Sequence, residues 1–341
     1  MDRAAFLDRL ADLGGRTRTE LLARLPRGEP EAYLYGPIRD YVARSGKGLR
    51  PALMLATCGA FGGRIEDALT SAAALELLHN AFLIHDDIED VSEFRRGAPC
   101  LHARIGVPLA INAGDAMQAM ALRLLRRNLD TLDPRIARSI FDEFDHLLAE
   151  SLEGQAIELG WIRDNDLGVG TADYLRMTLK KTCWYSFTHP CRIGALIAGR
   201  DAGGLGAFDA FGFFLGAAFQ IQDDVLNLTG AQTAYGKEIL GDLYEGKRTL
   251  MVARLMRLSG DADRRRLARF FGGPRSGRDE GEAAWVFEAM RDRGCIDYAR
   301  DAARALAGAA REAFAAAFAD AGGPDKDFVA RCLDFMIERE A

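Results

Sequence analysis

The chain has 341 residues, 49% of them hydrophobic, and a formal net charge of −6. That is enough apolar material for a large core without disulfides, and the acidic balance argues against nucleic acid as the main partner. No apolar run reaches the roughly 18–20 residues of a membrane span, and acids interrupt the apolar residues of Met1-Asp-Arg-Ala-Ala-Phe-Leu-Asp-Arg-Leu10, unlike a signal peptide.

Apolar residues recur at three- and four-residue spacing almost throughout, and alternating Val/Ile/Thr runs are scarce, so the spacing predicts an all-α chain. A first helix is expected from about Arg3 to Leu25, broken by Pro26 and Pro30. A second covers about Glu31 to Arg44 and stops at Ser45-Gly-Lys-Gly48; Pro51 opens a third, where proline is tolerated. Gly62-Gly63 ends that helix, and residues 65–89 form a long one. Residues 91–107 read as loop, because Ser92-Glu-Phe-Arg-Arg-Gly-Ala-Pro99 has no period and holds Gly and Pro. Pro108 and Pro134 open helices to about Asn128 and Trp161. Further helices are expected at 172–187, 190–200, 205–228, 247–258 and 261–271, with a loop rich in Gly and charge at 229–246. The stretch 271–281 has the most flexible composition, and an Ala-rich helix, 297–320, and a last one after Pro324 close the chain. The glycines are single-turn punctuation and not a linker, so residues 1–341 read as one domain. The six cysteines show no C-x-x-C spacing, which points to reduced core thiols in a cytoplasmic protein and away from zinc or redox motifs.

Two of these helices break the local rules. Leu75–Asp90 is an apolar run ending in Asp86, Asp87, Glu89 and Asp90. Asp86 and Asp90 lie one turn apart on one face, where like charges repel and the helix C-terminus disfavours anions. A second apolar run, Phe219-Gln-Ile-Gln-Asp-Asp-Val-Leu-Asn-Leu-Thr229, ends in Asp223 and Asp224 with Asn227 following. An isolated acidic helix end is ordinarily solvated. Two of the same form suit Mg²⁺, which takes carboxylates, water and phosphate oxygens; facing across a cavity, they would hold several ions and a diphosphate.

Cations stand near both. Lys47 and Arg50 flank a glycine turn at a helix start, which favours anions; Arg95 and Arg96 follow the first acids; Lys181 precedes Thr182; and Lys237, Lys247 and Arg248 follow the second acids. Each alone is a surface charge. Together they suit two anionic ligands, one held through Mg²⁺ and one directly. His79, seven residues before Asp86, lies on nearly the same face; a histidine there is ordinarily a satisfied core residue.

Gly46-Lys-Gly-Leu-Arg-Pro51, Glu76-x-x-His79, Asp86-Asp-x-x-Asp90, Arg95-Arg-Gly97, Lys181-Thr182, Phe219-Gln-x-x-Asp-Asp224 and Gly236-Lys-Glu-x-x-Gly-Asp-Leu-x-x-Gly-Lys-Arg-Thr249 follow one another between residues 46 and 249. In that order they resemble the trans-isoprenyl diphosphate synthases of the polyprenyl synthetase family, geranylgeranyl and farnesyl diphosphate synthases among them. The resemblance implies a helical bundle around a deep central cavity, a homodimer, and Mg²⁺ as cofactor, three ions with substrate bound. It implies Asp86, Asp90 and Asp223 as Mg²⁺ ligands, with Asp87, Glu89 and Asp224 supporting them. Arg95, Lys181, Lys237 and Lys247 would hold an allylic diphosphate; Lys47, Arg50, His79 and Arg96 would hold isopentenyl diphosphate; Thr182 and Gln220 would lie near the developing cation. Ala81 and Phe82, about one turn before Asp86, would form the floor that limits product length. Two departures stand out: Asn227 where many members have Asp, and Glu93-Phe94 before the arginines.

The expected chemistry is ionisation of the allylic diphosphate, attack by the double bond of isopentenyl diphosphate, and proton loss, in a dry pocket. The expected product is C20 geranylgeranyl diphosphate, with C15 farnesyl diphosphate as the alternative. A class I terpene cyclase would lack the second diphosphate site, and a non-catalytic subunit of a heteromeric synthase would not keep both acidic motifs. The helix 108–125 is the candidate dimer interface.

Overall fold

The computed structural model describes residues 1–44, 46–230 and 239–337. These form α1 (Arg3–Arg24), α2 (Gly36–Ala43), α3 (Leu49–Ala60), α4 (Ile65–Glu89), α5 (Leu101–Ile105), α6 (Val107–Arg126), α7 (Asn128–Thr131) and α8 (Pro134–Arg163). Then come α9 (Thr171–Thr178), a π-helical stretch Leu179–Thr188, α10 (His189–Ile197) and α11 (Ala207–Thr229). Further helices include Leu250–Leu258, Asp261–Gly272, Glu280–Asp292, Cys295–Ala317 and Gly323–Ile337. Among the described residues the only strands are β1 (Phe94–Arg95) and β2 (Ala98–Pro99), an antiparallel pair. The all-α expectation is borne out.

The chain gathers into two compact units, each built from three segments: residues 1–146, 186–209 and 313–332 in the first, and 147–185, 210–312 and the residues from Leu333 in the second. In the first, α4 packs on α6, α3 and α1, and α3 packs on α10. Ala68, Ala72, Leu75, Leu77, Leu78, Ala81 and Ile84 of α4 are all buried. A helix apolar on every side belongs in a core, and only its acidic end is left to serve another purpose. A Cβ on Gly194 would stand 3.0 Å from the Cys58 amide nitrogen, so α10 and α3 touch backbone to backbone. The second unit has its own core: Ile221, Val225 and Leu228 of α11 pack with Leu250, Leu255, Phe270, Phe271, Met290 and Cys295.

All six cysteines are buried and free, as expected of core thiols. No helix among the described residues is long and apolar enough to cross a membrane.

Local departures have physical causes. The expected loop 91–107 contains the hairpin and α5. The expected helix 172–187 is α-helical only to Thr178 and then widens into the π-helical stretch. The glycine-rich 271–281 stretch is pinned by Arg278, 8% exposed. Its guanidinium donates to the carbonyls of Phe270 (3.2 Å) and Phe271 (2.9 Å), which the last turn of a helix leaves without partners.

Candidate active site

In the first unit the site begins where α4 ends. The Asp90 N–H donates to the Asp86 carbonyl at 2.8 Å, the Val91 N–H to Ile88 at 3.2 Å and the Ser92 N–H to Asp87 at 2.9 Å. Those last two bonds form a Schellman closure, which needs a left-handed residue. That residue is Val91, at φ 54°. The chain turns back through β1 and β2, joined by Arg96 (φ 55°) and Gly97 (φ 73°), the paired positive angles of a tight hairpin turn.

The hairpin returns Arg95 to the acids. Its Nε donates to Asp87 Oδ1 at 2.7 Å, its Nη2 donates to the same oxygen, and Nη2 lies 3.5 Å from Asp86 Oδ2. The Asp87 side chain is 1% exposed; burial pushes its carboxyl up, and Arg95 pulls it back. Asp87 is therefore committed to Arg95.

Arg96 turns the other way, donating from Nη1 to Asn80 Oδ1 at 3.2 Å. Arg50, in the first turn of α3, donates from Nε to Ser186 Oγ at 3.0 Å. Its Nη1 lies 3.2 Å from His79 Nε2. A guanidinium only donates, so His79 Nε2 accepts and the imidazole is neutral. Burial, then Arg50 and Arg96, holds His79 well below the usual histidine range. Glu76 is buried one turn earlier; burial pushes its carboxyl up against the pull of Arg96 and Arg50. Lys47 is exposed. Its turn needs Gly48 at φ 65°, where a Cβ would stand 3.0 Å from the Gly14 Cα of α1. Arg50, Arg96 and His79 are thus brought together. Ala81 is buried and Phe82 half-buried on α4.

In the second unit the π-helical stretch lies tight between two helices. A Cβ on Gly154 of α8 would come within 2.6 Å of the Lys181 Cα, and one on Gly216 of α11 within 2.8 Å of the Cys183 Cα. This seats Thr182 against α11, where its hydroxyl donates to Gln220 Oε1 at 3.0 Å. Gln220 Nε2 donates to Asp224 Oδ1 at 2.8 Å, and the Tyr174 hydroxyl donates to Asp224 Oδ2 at 2.7 Å. Burial pushes the Asp224 carboxyl up, with the Gln220 and Tyr174 donors opposing. Lys181 is ion-paired with Glu158, and Lys247 with Glu245 at 2.6 Å. Asn227 Oδ1 accepts from the Asp242 N–H at 3.0 Å, and its carbonyl accepts from the Leu240 N–H at 2.9 Å. Asn227 thus anchors the segment that leads to Lys247. Lys237 lies outside the described residues.

Among the described residues no three His, Cys, Asp or Glu side chains gather into a metal-binding group. Mg²⁺ does not require one: it is commonly bound by one or two carboxylates completed by water and phosphate. Asp86 on the last turn of α4 and Asp90 at its C-cap, hard oxygens one turn apart, fit that demand, as does Asp223.

Sequence reasoning missed Tyr174, Tyr41, Asn80 and Glu158, and used Glu76 only as a motif letter. Tyr41 is 6% exposed, and its hydroxyl has no hydrogen bond among the described residues. It lies within electrostatic range of Asp87, Arg95 and Arg96. The available signal was the tyrosine six residues before Lys47.

Residues 31–290 match the family model described as polyprenyl synthetase. A geranylgeranyl diphosphate synthase of Sulfolobus acidocaldarius is 36% identical over 72% of this chain and 74% of its own. A short chain isoprenyl diphosphate synthase of Methanothermobacter thermautotrophicus is 34% identical over 88% of each chain. Among solved structures, a geranylgeranyl pyrophosphate synthetase of Pyrococcus horikoshii superposes with a TM-score of 0.87, at 29% identity and 99% coverage of both chains. This chain therefore belongs to the polyprenyl synthetase family of prenyltransferases.

Proposed function

We propose that the chain is a Mg²⁺-dependent trans-prenyl diphosphate synthase that condenses isopentenyl diphosphate with an allylic diphosphate, giving C20 geranylgeranyl diphosphate. One observation carries this reading. Arg50 and Arg96 converge with a neutral His79, with partners different from those of the Arg95–Asp87 pair beside them. A cyclase needs one diphosphate site; a condensing enzyme needs two. The name of the Sulfolobus relative supports the C20 product.

Asp86, Asp90 and Asp223 would hold the metal. When bound, Mg²⁺ would neutralise the leaving diphosphate and ease ionisation. Arg95, Lys181 and Lys247, with Lys237, would bind the allylic diphosphate. The first two described lysines would exchange Glu158 and Glu245 for phosphate oxygens. Arg50, Arg96, His79 and Lys47 would orient isopentenyl diphosphate. The Thr182 hydroxyl and Gln220 amide would face the developing cation with oxygen dipoles and no strong nucleophile to trap it. Both units would serve one synthase domain, and Val107, Ile111 and Leu122, exposed on α6, support a homodimer.

The test is product analysis. The protein is incubated with isopentenyl diphosphate, Mg²⁺ and each of the C5, C10 and C15 allylic diphosphates, and chain length is resolved after dephosphorylation. All-trans C20 prenol is expected. Hydrocarbon or terpene alcohol from the allylic substrate alone would point to a cyclase, and no consumption of any substrate would point to a non-catalytic subunit.

A further inference from the structure

Asp224 is engaged on both oxygens. Tyr174, 1% exposed, holds Oδ2 at 2.7 Å, and Gln220 holds Oδ1 at 2.8 Å. The other face of the Gln220 amide accepts from Thr182 at 3.0 Å. The donor directions run one way: two donors converge on Asp224, and fixing the Gln220 NH₂ toward Asp224 forces its carbonyl oxygen toward Thr182. A flipped Gln220 would set its oxygen against an Asp224 oxygen; the Thr182 hydroxyl can accept as well as donate, so the Asp224 contact is what sets the amide. The four residues come from α9, the π-helical stretch and α11.

We infer that Tyr174 and Asp224 are positioning residues, and that the relay Tyr174–Asp224–Gln220–Thr182 fixes the oxygens that face the allylic cation. Asp224, held on both oxygens, serves this relay. Tyr174 works from inside the core: it touches neither substrate nor metal. The inference rests on the proposed synthase reading and adds Tyr174 to it, as a residue that acts through Asp224 and Gln220.

The experiment compares wild type with Tyr174→Phe, Asp224→Asn and Asp223→Asn. It reads kcat for condensation, the affinity for inorganic pyrophosphate with Mg²⁺ by calorimetry, and the melting temperature. Tyr174→Phe keeps the ring and removes one donor. Its kcat is expected to fall about tenfold, the lower end for loss of a partner that orients a site group through a hydrogen bond. Its Mg²⁺–pyrophosphate affinity is expected to stay within about twofold. Asp223→Asn should weaken that affinity at least about tenfold. Asp224→Asn should behave like Tyr174→Phe, and the double variant should be no slower than Asp224→Asn, because the two act as one unit.

An unchanged kcat in a folded Tyr174→Phe, with only its melting temperature lowered, would mean the tyrosine is core packing. Weakened Mg²⁺–pyrophosphate affinity in Tyr174→Phe or Asp224→Asn would make Asp224 part of the metal site. Either result overturns the inference. If Tyr174→Phe does not fold, Asp224→Asn decides by the same two readings. A wild type that binds Mg²⁺–pyrophosphate and condenses nothing overturns the synthase reading, and this inference with it. An active wild type matched by Tyr174→Phe overturns the inference alone.

Discussion

Arg95 is the residue on which the first acidic cluster turns. Asp87 sits 1% exposed, with Arg95 Nε and Nη2 on one oxygen and Nη2 reaching toward Asp86. A planar fork can touch two carboxylates at once; an ammonium is a single point charge. Arg95→Lys keeps the charge and loses the fork. The expected result is a fall in kcat/KM for the allylic substrate of about 30-fold, roughly 2 kcal/mol, measured by steady-state kinetics with each substrate in turn. The melting temperature should fall too, because a buried carboxylate is left partly compensated. A variant with unchanged kcat/KM would detach Arg95 from the allylic site. The charged residues of both acidic stretches were legible because charges at the end of an apolar run violate local preferences. Their partners were not. Glu158 answers Lys181 from 23 residues away, and Tyr174 answers Asp224 from 50. In sequence Tyr174 looks like any aromatic on a helix face. Only folding reveals that its hydroxyl has a carboxylate to meet.

At the scale of elements, α4 does two jobs with one axis. Its end is closed by Val91, a β-branched residue in the left-handed region, where glycine costs nothing. Val91→Gly removes strain of about 1–2 kcal/mol and returns some of it as unfolded-chain entropy. A net gain of about 0.5–1 kcal/mol is expected, visible as a melting temperature raised by a degree or more. A lowered one would mean the valine side chain contributes packing despite being 61% exposed. Nothing in the sequence foretold this closure: Val91-Ser92 lacks the glycine common at such helix ends, and 91–107 read as loop because Ser92–Pro99 has no period and holds Gly and Pro. The same helix sets a length scale. Phe82 precedes Asp86 by about one turn, or about 5.4 Å of helix axis. If Phe82 closes the tail's path, Phe82→Ala opens about one turn more. Products should then lengthen from C20 toward C25, as resolved by chromatography after dephosphorylation. An unchanged product would move the floor to another helix. Sequence periodicity relates Phe82 to the acids by helix position, and the floor role is what the family resemblance implies. Periodicity was silent about the π-helical widening at Leu179–Thr188, which depends on the close approaches at Gly154 and Gly216.

For the whole molecule, the all-α class was legible because one period runs through nearly the entire chain, whereas the assembly of each unit from three distant segments leaves no mark on composition. Those long-range meetings bury histidines that the sequence left without partners. His189, 1% exposed, meets Glu143 Oε2 through Nδ1 at 2.6 Å and His146 Nδ1 through Nε2 at 3.0 Å. Arg192 holds Glu143 as well, at 2.8 and 2.7 Å, and reaches Asp209 at 2.8 Å. Burial lowers the His189 pKa although Glu143 opposes it, and burial with Arg50 and Arg96 lowers that of His79 further. Both rings are therefore neutral in the folded protein at pH values where the unfolded chain, titrating near pH 6.5, takes up protons. The sign follows for these two rings: unfolded they bind more protons below about pH 6.5, so their contribution to stability is intact above that value and is lost as the pH drops, while the raised Asp224 carboxyl contributes with the opposite sign. Each histidine should remove about 1.4 kcal/mol per pH unit until its own lowered folded pKa is reached. Against its burial, hydrogen bonds from His189 and Arg192 hold the Glu143 carboxyl low, so its loss comes at more acid pH, below the histidine window. The two histidines should pull the melting temperature down from about pH 6.5 to 5.5. In His189→Gln, where an amide can still donate to Glu143, that fall should be shallower by about one proton's worth. Equal slopes in the two proteins would remove His189 from the explanation and leave the acid sensitivity to His79 and its arginines.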